Sequence, residues 1–201
     1  MIKIFKFGGT SIKDAANIKR VAEILRIYSE DKLVIVFSAM GKVTNMLEEV
    51  TEAYVQKNGQ AESKLQLVKD FHTNLLGELF EVNNSIYNEV NNLFVEIEWV
   101  LEDEPNPDFA FNYDQIVSIG ELLSTKIMSA YLSENGFENS WLDARDIIRT
   151  DNKYRNAKID WEQTITFCKD KIAHFPIITQ GFIGCTSENF TTPLGREGSD
   201  F

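Results

Sequence analysis

The sequence predicts an α/β fold with a parallel sheet, and three observations predict it. Ile2 to Phe7 (IKIFKF) alternates apolar and basic residues and stops at Gly8-Gly9, as a strand running into a tight loop does. Leu33 to Phe37 (LVIVF) is an unbroken apolar run, the pattern of a strand covered on both faces. Each is followed by a short loop and a helical stripe, and successive strand–loop–helix units mark α/β architecture.

The elements follow in order. Ser11 and Asp14 have the spacing of a capping box, with Asp in place of Glu, and Ile18, Val21, Leu25 and Tyr28 form the first helical stripe. After the second strand comes Ser38-Ala39-Met40-Gly41, with a helix expected from Thr44 or Asn45. Leu65, Val68, Leu75 and Leu79 mark one long helix, and Ile86, Val90, Leu93, Ile97 and Leu101 another. A turn at Asn83-Asn84-Ser85 makes them an antiparallel pair packed on each other. Glu102 to Asp114 is polar, holds Pro105 and Pro107, and reads as a loop. A further helix is expected from Ser118 to Gly136, with Ile119, Leu123, Ile127 and Ala130 inward. Ser140 to Asp143 and Pro176 to Thr179 read as short strands, and Cys185 to Thr192 as a hairpin tip. Gly195 to Phe201 reads as a loop whose Ser199-Asp200 would cap a following helix. A cap without its helix leads us to expect a domain that continues past this chain.

Composition narrows the function classes. Of 201 residues, 43% are hydrophobic and 25% charged, enough for a globular core. The balance of 20 basic against 31 acidic residues gives a net charge of -11. Such a surface repels phosphate backbones and anionic lipid heads, which argues against nucleic acid or membrane as the main partner. Neither a signal-peptide core nor a bilayer-length apolar run is present. With two cysteines, Cys168 and Cys185, a disulfide scaffold is not expected, and the cytoplasm is the default compartment.

Several loops could carry chemistry. Lys6-Phe7-Gly8-Gly9-Thr10-Ser11 joins a strand to a helix. Gly8 and Gly9 would let backbone N–H groups approach an anion at the helix start, Lys6 could reach a phosphate, and Thr10 and Ser11 add hydroxyls. The same residues equally fit a plain strand–turn–helix connection. Ser38 and Thr44 lie beyond the carboxyl end of the next strand, where ligands of open α/β sheets bind, although Thr44 or Asn45 could simply cap the next helix. Glu121 could receive a ligand ammonium, or complete a capping box with Ser118, the reading that spacing alone favours. Ser118, Glu121 and Thr125 share a face away from the apolar stripe. Arg196 could grip a carboxylate or pair with Glu197, and Asp200 could organise a lysine or cap a helix. His72 and His174 are isolated, without metal-ligand spacing, and read as structural.

Taken together, KFGGTS (Lys6 to Ser11), SAMGKVTN (Ser38 to Asn45), SIGELLST (Ser118 to Thr125), WLDARDIIRTD (Trp141 to Asp151), ITQGFIG (Ile178 to Gly184) and TTPLGREGSDF (Thr191 to Phe201) resemble the aspartate kinases of the amino-acid kinase family, in the family's order. The resemblance implies a three-layer α/β/α fold with a mostly parallel central sheet, this chain being the amino-acid-binding lobe. It implies that Lys6 contacts the transferred phosphate, with Gly8, Gly9 and Thr10 around it. Ser38, Thr44, Glu121, Arg196 and Ser199 would hold aspartate, Glu121 taking its amino group, and Asp200 would orient Lys6 and the metal-bound phosphates. Glu197 stands where many members have Gly.

The implied reaction is phosphoryl transfer from ATP, with Mg2+, to the side-chain carboxylate of L-aspartate, giving 4-phospho-L-aspartate for lysine, threonine and methionine biosynthesis. A carboxylate with a pKa of about 3.9 is already ionised at neutral pH, so no general base is required. Nucleotide contacts and regulatory ACT domains would lie beyond Phe201. The chain alone is therefore expected to have little activity, and the full-length protein to be a homo-oligomer. Acetylglutamate or glutamate kinase and a non-catalytic binding module are the rival readings.

Overall fold

The computed structural model describes residues 1–195. Arg196, Glu197, Ser199 and Asp200, singled out above, lie outside the described residues. The two long apolar patterns form strands β1 (Ile2–Phe7) and β2 (Lys32–Phe37), joined through α1 (Ala15–Arg26). After β2 come α2 (Val43–Val55), α3 (Ala61–Leu79), α4 (Ile86–Glu102), α5 (Phe109–Val117) and α6 (Ile119–Glu134). Then follow β3 (Ser140–Trp141), α7 (Trp161–Lys171), β4 (Ile177–Gln180) and the hairpin β5 (Ile183–Cys185) and β6 (Thr191–Pro193).

The first four strands make one parallel sheet in the order β1-β2-β4-β3. One face carries Leu33, Ile35, Phe37 and Ile178, all fully buried. Helix α6 lies against β2 and β4 on that face, α1 adds Ile18, Val21 and Leu25 to the same core, and α2 to α5 pack outward. The start of α7 lies on the other face, where Trp161 shares an open apolar groove with Ile4, Val34 and Val36. Helices on both faces of a parallel sheet give the expected α/β/α layers.

Local chemistry explains most boundaries. Asp14 caps α1, its side chain accepting the Asn17 N–H at 2.8 Å, so the expected Ser11/Asp14 box is replaced by a single cap just before Ala15. Gly136 takes φ +79 just past α6, a conformation Gly adopts without strain. Helices α3 and α4 do meet, but α3 rests mainly on α2 and α4 on α6. The expected loop from Glu102 to Asp114 is shorter than its composition suggested. Asp108 caps α5 by accepting the Ala110 N–H at 2.9 Å, and residues from Phe109 on are helical. The buried Asn112 closes the Pro-bearing turn, accepting the Asn106 N–H at 2.9 Å and donating to the Asn106 carbonyl at 2.7 Å. Helix α7, unanticipated from sequence, is capped by Asp160.

His72 is fully buried and His174 exposed, while Cys185 is buried and Cys168 half-buried, both as free thiols. No helix among the described residues is long and apolar enough to cross a membrane.

Candidate functional site

The strand register sets the position of the site. Phe7, Phe37 and Gln180 stand side by side at the carboxyl ends of β1, β2 and β4, so the three following loops leave from one edge. Backbone hydrogen bonds lock these loops together. Ser38 N–H donates to the Phe7 carbonyl at 3.2 Å, Gly41 N–H to the Gly9 carbonyl at 3.0 Å, and Gly181 N–H to the Phe37 carbonyl at 3.3 Å. The approach of the first two loops demands glycine at one position. A Cβ on Gly9 would stand 2.4 Å from the Ala39 carbonyl oxygen, inside any tolerable contact.

Lys6 is an exposed residue of β1 and points to the sheet face opposite Phe5 and Phe7, in the row of Val36 and Thr179. Beyond it, Gly9–Ile12 forms a 3-10 turn rather than the expected α-helix start, since α1 begins at Ala15. The loop therefore offers its opening N–H groups and the neighbouring Lys6 without an α-helix dipole behind them. Ser38 is half-buried at the foot of the second loop. Thr44 is half-buried in the first turn of α2, whose N-cap is Lys42 without a side-chain capping bond. Neither Thr44 nor Asn45 is spent on capping.

Glu121 departs furthest from its spacing-based reading. Helix α5 runs to Val117 and α6 resumes at Ile119, with Ser118 as their joint and no side-chain cap. The expected capping box is not formed, because a helix that arrives from a preceding helix has a filled first turn. The Ser118 hydroxyl is instead buried without a hydrogen-bond partner among the described residues. Glu121 is 3% exposed. Its Oε1 accepts the Ala39 N–H at a long 3.4 Å, and its Oε2 is buried with no partner among the described residues. Helix α6 is buried around most of its first turns, and Gly120 brings it against Ala39, Val43 and Leu47. Burial in these surroundings raises the Glu121 pKa from 4.5 to about 8, with the Ala39 hydrogen bond opposing. A lone buried carboxylate either holds a proton or meets a cation, and an ammonium group would satisfy Oε2.

Gly8, Gly9, Thr10, Ser38, Thr44 and Glu121 thus lie in or against the loops that leave this sheet edge, while Lys6, one residue before the end of β1, projects from the sheet face opposite α6. Among the described residues, no three His, Cys, Asp or Glu side chains come together as a metal site.

A family model described as the amino acid kinase family matches residues 1–201. The chain belongs to the amino acid kinase family. Lysine-sensitive aspartokinase 3 of Escherichia coli (strain K12) is 31% identical over 204 residues, which span 100% of this chain and 44% of that protein. The aspartokinase of Chlamydia muridarum is 32% identical over 98% of this chain and 43% of its own length. The crystal structure of E. coli aspartokinase III in complex with lysine and aspartate superposes with a TM-score of 0.89 at 29% identity, over all of this chain and 45% of that one. The form in complex with aspartate and ADP matches equally, at TM-score 0.89. This amino acid kinase chain thus spans less than half the length of the relatives it matches.

A second buried carboxylate of this family member escaped the sequence reading. Asp114 on α5 is fully buried and accepts the Arg155 N–H at 2.9 and 3.1 Å. Burial lifts its pKa to about 8, with Arg155 opposing. The bond fixes Arg155 at φ 62 and sets its guanidinium 4.2 Å over the Tyr113 ring, whose hydroxyl donates to Glu48 at 2.7 Å. The available signal was spacing, since Asp114, Ser118 and Glu121 recur at helical intervals. The polar surroundings of Asp114 had assigned it to a loop.

Proposed function

We propose that the whole protein is an aspartate kinase and that residues 1–201 are its amino-acid-binding lobe. The carrying observation is the buried Glu121 Oε2, without a partner among the described residues, at the sheet edge shared with the Lys6 and Gly9 loop. That pairing suits a substrate that brings an ammonium at one end and receives a phosphoryl group at the other. The relatives with aspartokinase names support the same substrate, and the neighbour bound to aspartate and ADP supports ATP as donor.

On this reading the Glu121 carboxylate takes the aspartate ammonium, and Ser38 and Thr44 donate to its oxygens. An oxygen of the aspartate side-chain carboxylate attacks the γ-phosphorus of ATP as the bond from that phosphorus to the β–γ bridging oxygen breaks, releasing ADP. No proton need be removed from the nucleophile at neutral pH. The barrier is repulsion between anions, which Lys6 and the opening N–H groups of the Gly9 turn lower by fixed positive charge. Mg2+ fits as an ion arriving with ATP, held by phosphate oxygens rather than by a protein cage, and would supply further charge neutralisation. Arg196, Ser199 and Asp200 belong to the same proposal through the resemblance. The free thiols of Cys168 and Cys185 accord with a cytoplasmic enzyme.

The test is trapping of aspartyl phosphate as a hydroxamate, with the longer polypeptide and with this chain alone. Activity is expected from the longer polypeptide. Lys6→Ala should lower its kcat about a hundredfold or more with little change in the aspartate KM. Near-normal turnover in Lys6→Ala, or absence of hydroxamate from the longer wild-type protein, would overturn the reading.

A further inference from the structure

Behind Glu121 lies a buried hydrogen-bond junction whose proton positions are fixed by counting. Gln180 is the last residue of β4 and is 4% exposed. The Ala144 backbone N–H donates to its Oε1 at 2.7 Å, and a backbone N–H can only donate, so the amide orientation is settled. Gln180 Nε2 therefore faces the fully buried Thr125 hydroxyl and donates to it at 2.6 Å. The Trp141 indole, also a donor and nothing else, reaches the same oxygen at 3.0 Å. A hydroxyl has two acceptor positions and one hydrogen, and both acceptor positions of Thr125 are now filled. Its hydrogen goes to the main chain of its own helix, at 2.9 Å from the Glu121 carbonyl and 3.2 Å from that of Leu122.

Three elements thus meet on one oxygen. Strand β3 arrives through Trp141, β4 through Gln180, and the first turn of α6 is held through the carbonyl of Glu121 itself. The sheet edge that carries the loops is tied to the residue whose side chain faces them, independently of the long Ala39 contact. Sequence spacing placed Thr125 on the ligand side with Glu121, but the hydroxyl faces the ends of β3 and β4.

We propose that Thr125 is a positioning residue for the ligand carboxylate, setting Glu121 against the second loop through its main chain, with Gln180 and Trp141 fixing the polarity of the junction. The proposal rests on the aspartate kinase reading for its assay. Thr125→Val keeps the shape, removes the hydroxyl and leaves two buried donors without an acceptor, so the first turn of α6 shifts. Thr125→Ser keeps the oxygen.

The experiment uses the longer, active polypeptide, with steady-state kinetics in both substrates and a thermal melt for each variant. Thr125→Val should raise the aspartate KM about tenfold while the ATP KM stays within about twofold, and Thr125→Ser should recover most of the loss. Gln180→Glu serves as the second variant and decides if Thr125→Val does not fold. It keeps an acceptor for Ala144, replaces the donor to Thr125, and should raise the aspartate KM in the same selective way. Equal loss in both substrates, a fall in kcat alone, or an unchanged aspartate KM in the folded variants would overturn the positioning role. An inactive wild type would instead sink the aspartate kinase reading, so the two failures are distinguishable.

Discussion

Glu121 and His72, each with a buried side-chain atom that has no partner among the described residues, should give the protein opposite pH responses. Burial raises the Glu121 pKa from 4.5 to about 8. Between those values the folded state holds a proton that the unfolded chain has released, so the contribution of Glu121 is full below 4.5 and is lost as pH rises through 8. Burial lowers the His72 pKa from 6.5 to about 4, with the Val68 carbonyl bond opposing. There the unfolded chain binds the extra proton, and stability falls as pH drops through that window. Thermal melts across pH should show a shallower alkaline slope for Glu121→Gln than for wild type, with the remainder carried by Asp114. His72→Leu should flatten the acid limb. Identical pH profiles in variant and wild type would refute the assigned causes. The legibility of these residues divides the same way. The placement of Lys6, Gly8 and Gly9 at a strand end and its turn could be read from sequence because it is local to one strand and turn. For Glu121, spacing alone favoured a cap, because Ser118 and Glu121 satisfy a capping pattern that only the continuity of α5 into α6 removes, and it was the family resemblance that singled it out. Thr125 was less legible still, since its partners Trp141 and Gln180 lie 16 and 55 residues away.

Among the elements, the two glycines of the first loop differ although they are neighbours. A Cβ on Gly8 meets nothing within 4 Å and its φ of -75 suits any residue, whereas one on Gly9 strikes the Ala39 carbonyl. Gly9→Ala is expected to destabilise the fold by about 1–3 kcal/mol through forced separation of the two loops. Gly8→Ala should stay within about 0.5 kcal/mol of wild type, whatever it does to activity. Chemical denaturation of the two variants checks the contrast. Elements with a strong apolar stripe, such as α1 and α4, were readable from sequence. Helix α7 was not, because Thr164 is its one fully buried residue among those described and an exposed helix carries little period. Helix α5 was hidden by a Pro-bearing approach and by Asn112 and Asp114, which are polar yet buried through specific hydrogen bonds.

At the scale of the whole molecule, the two faces of the sheet are unequally dressed. One is sealed by α6 and the core, while the other leaves Ile4 70% exposed beside Val34, Val36 and the half-open Trp161. The 201-residue chain should therefore bind an apolar dye such as ANS more strongly than ordinary folded domains do. Ile4→Lys should cut that signal by about half without lowering the melting temperature. Dye binding unchanged by the substitution would locate the exposed surface elsewhere. The parallel sheet itself was legible from two strand–loop–helix units, but its order was not, because β3 has two residues and β4 four and neither carries a long periodic signal.

The bond from Gly41 N–H to the Gly9 carbonyl and the contact that excludes a Cβ at Gly9 bind the first two loops into one rigid jaw. If acceptor and donor meet between those loops, the gap they must cross is a built dimension of the scaffold. Any movement of one of these loops then carries the other with it, and heating should loosen their surroundings before it parts the pair.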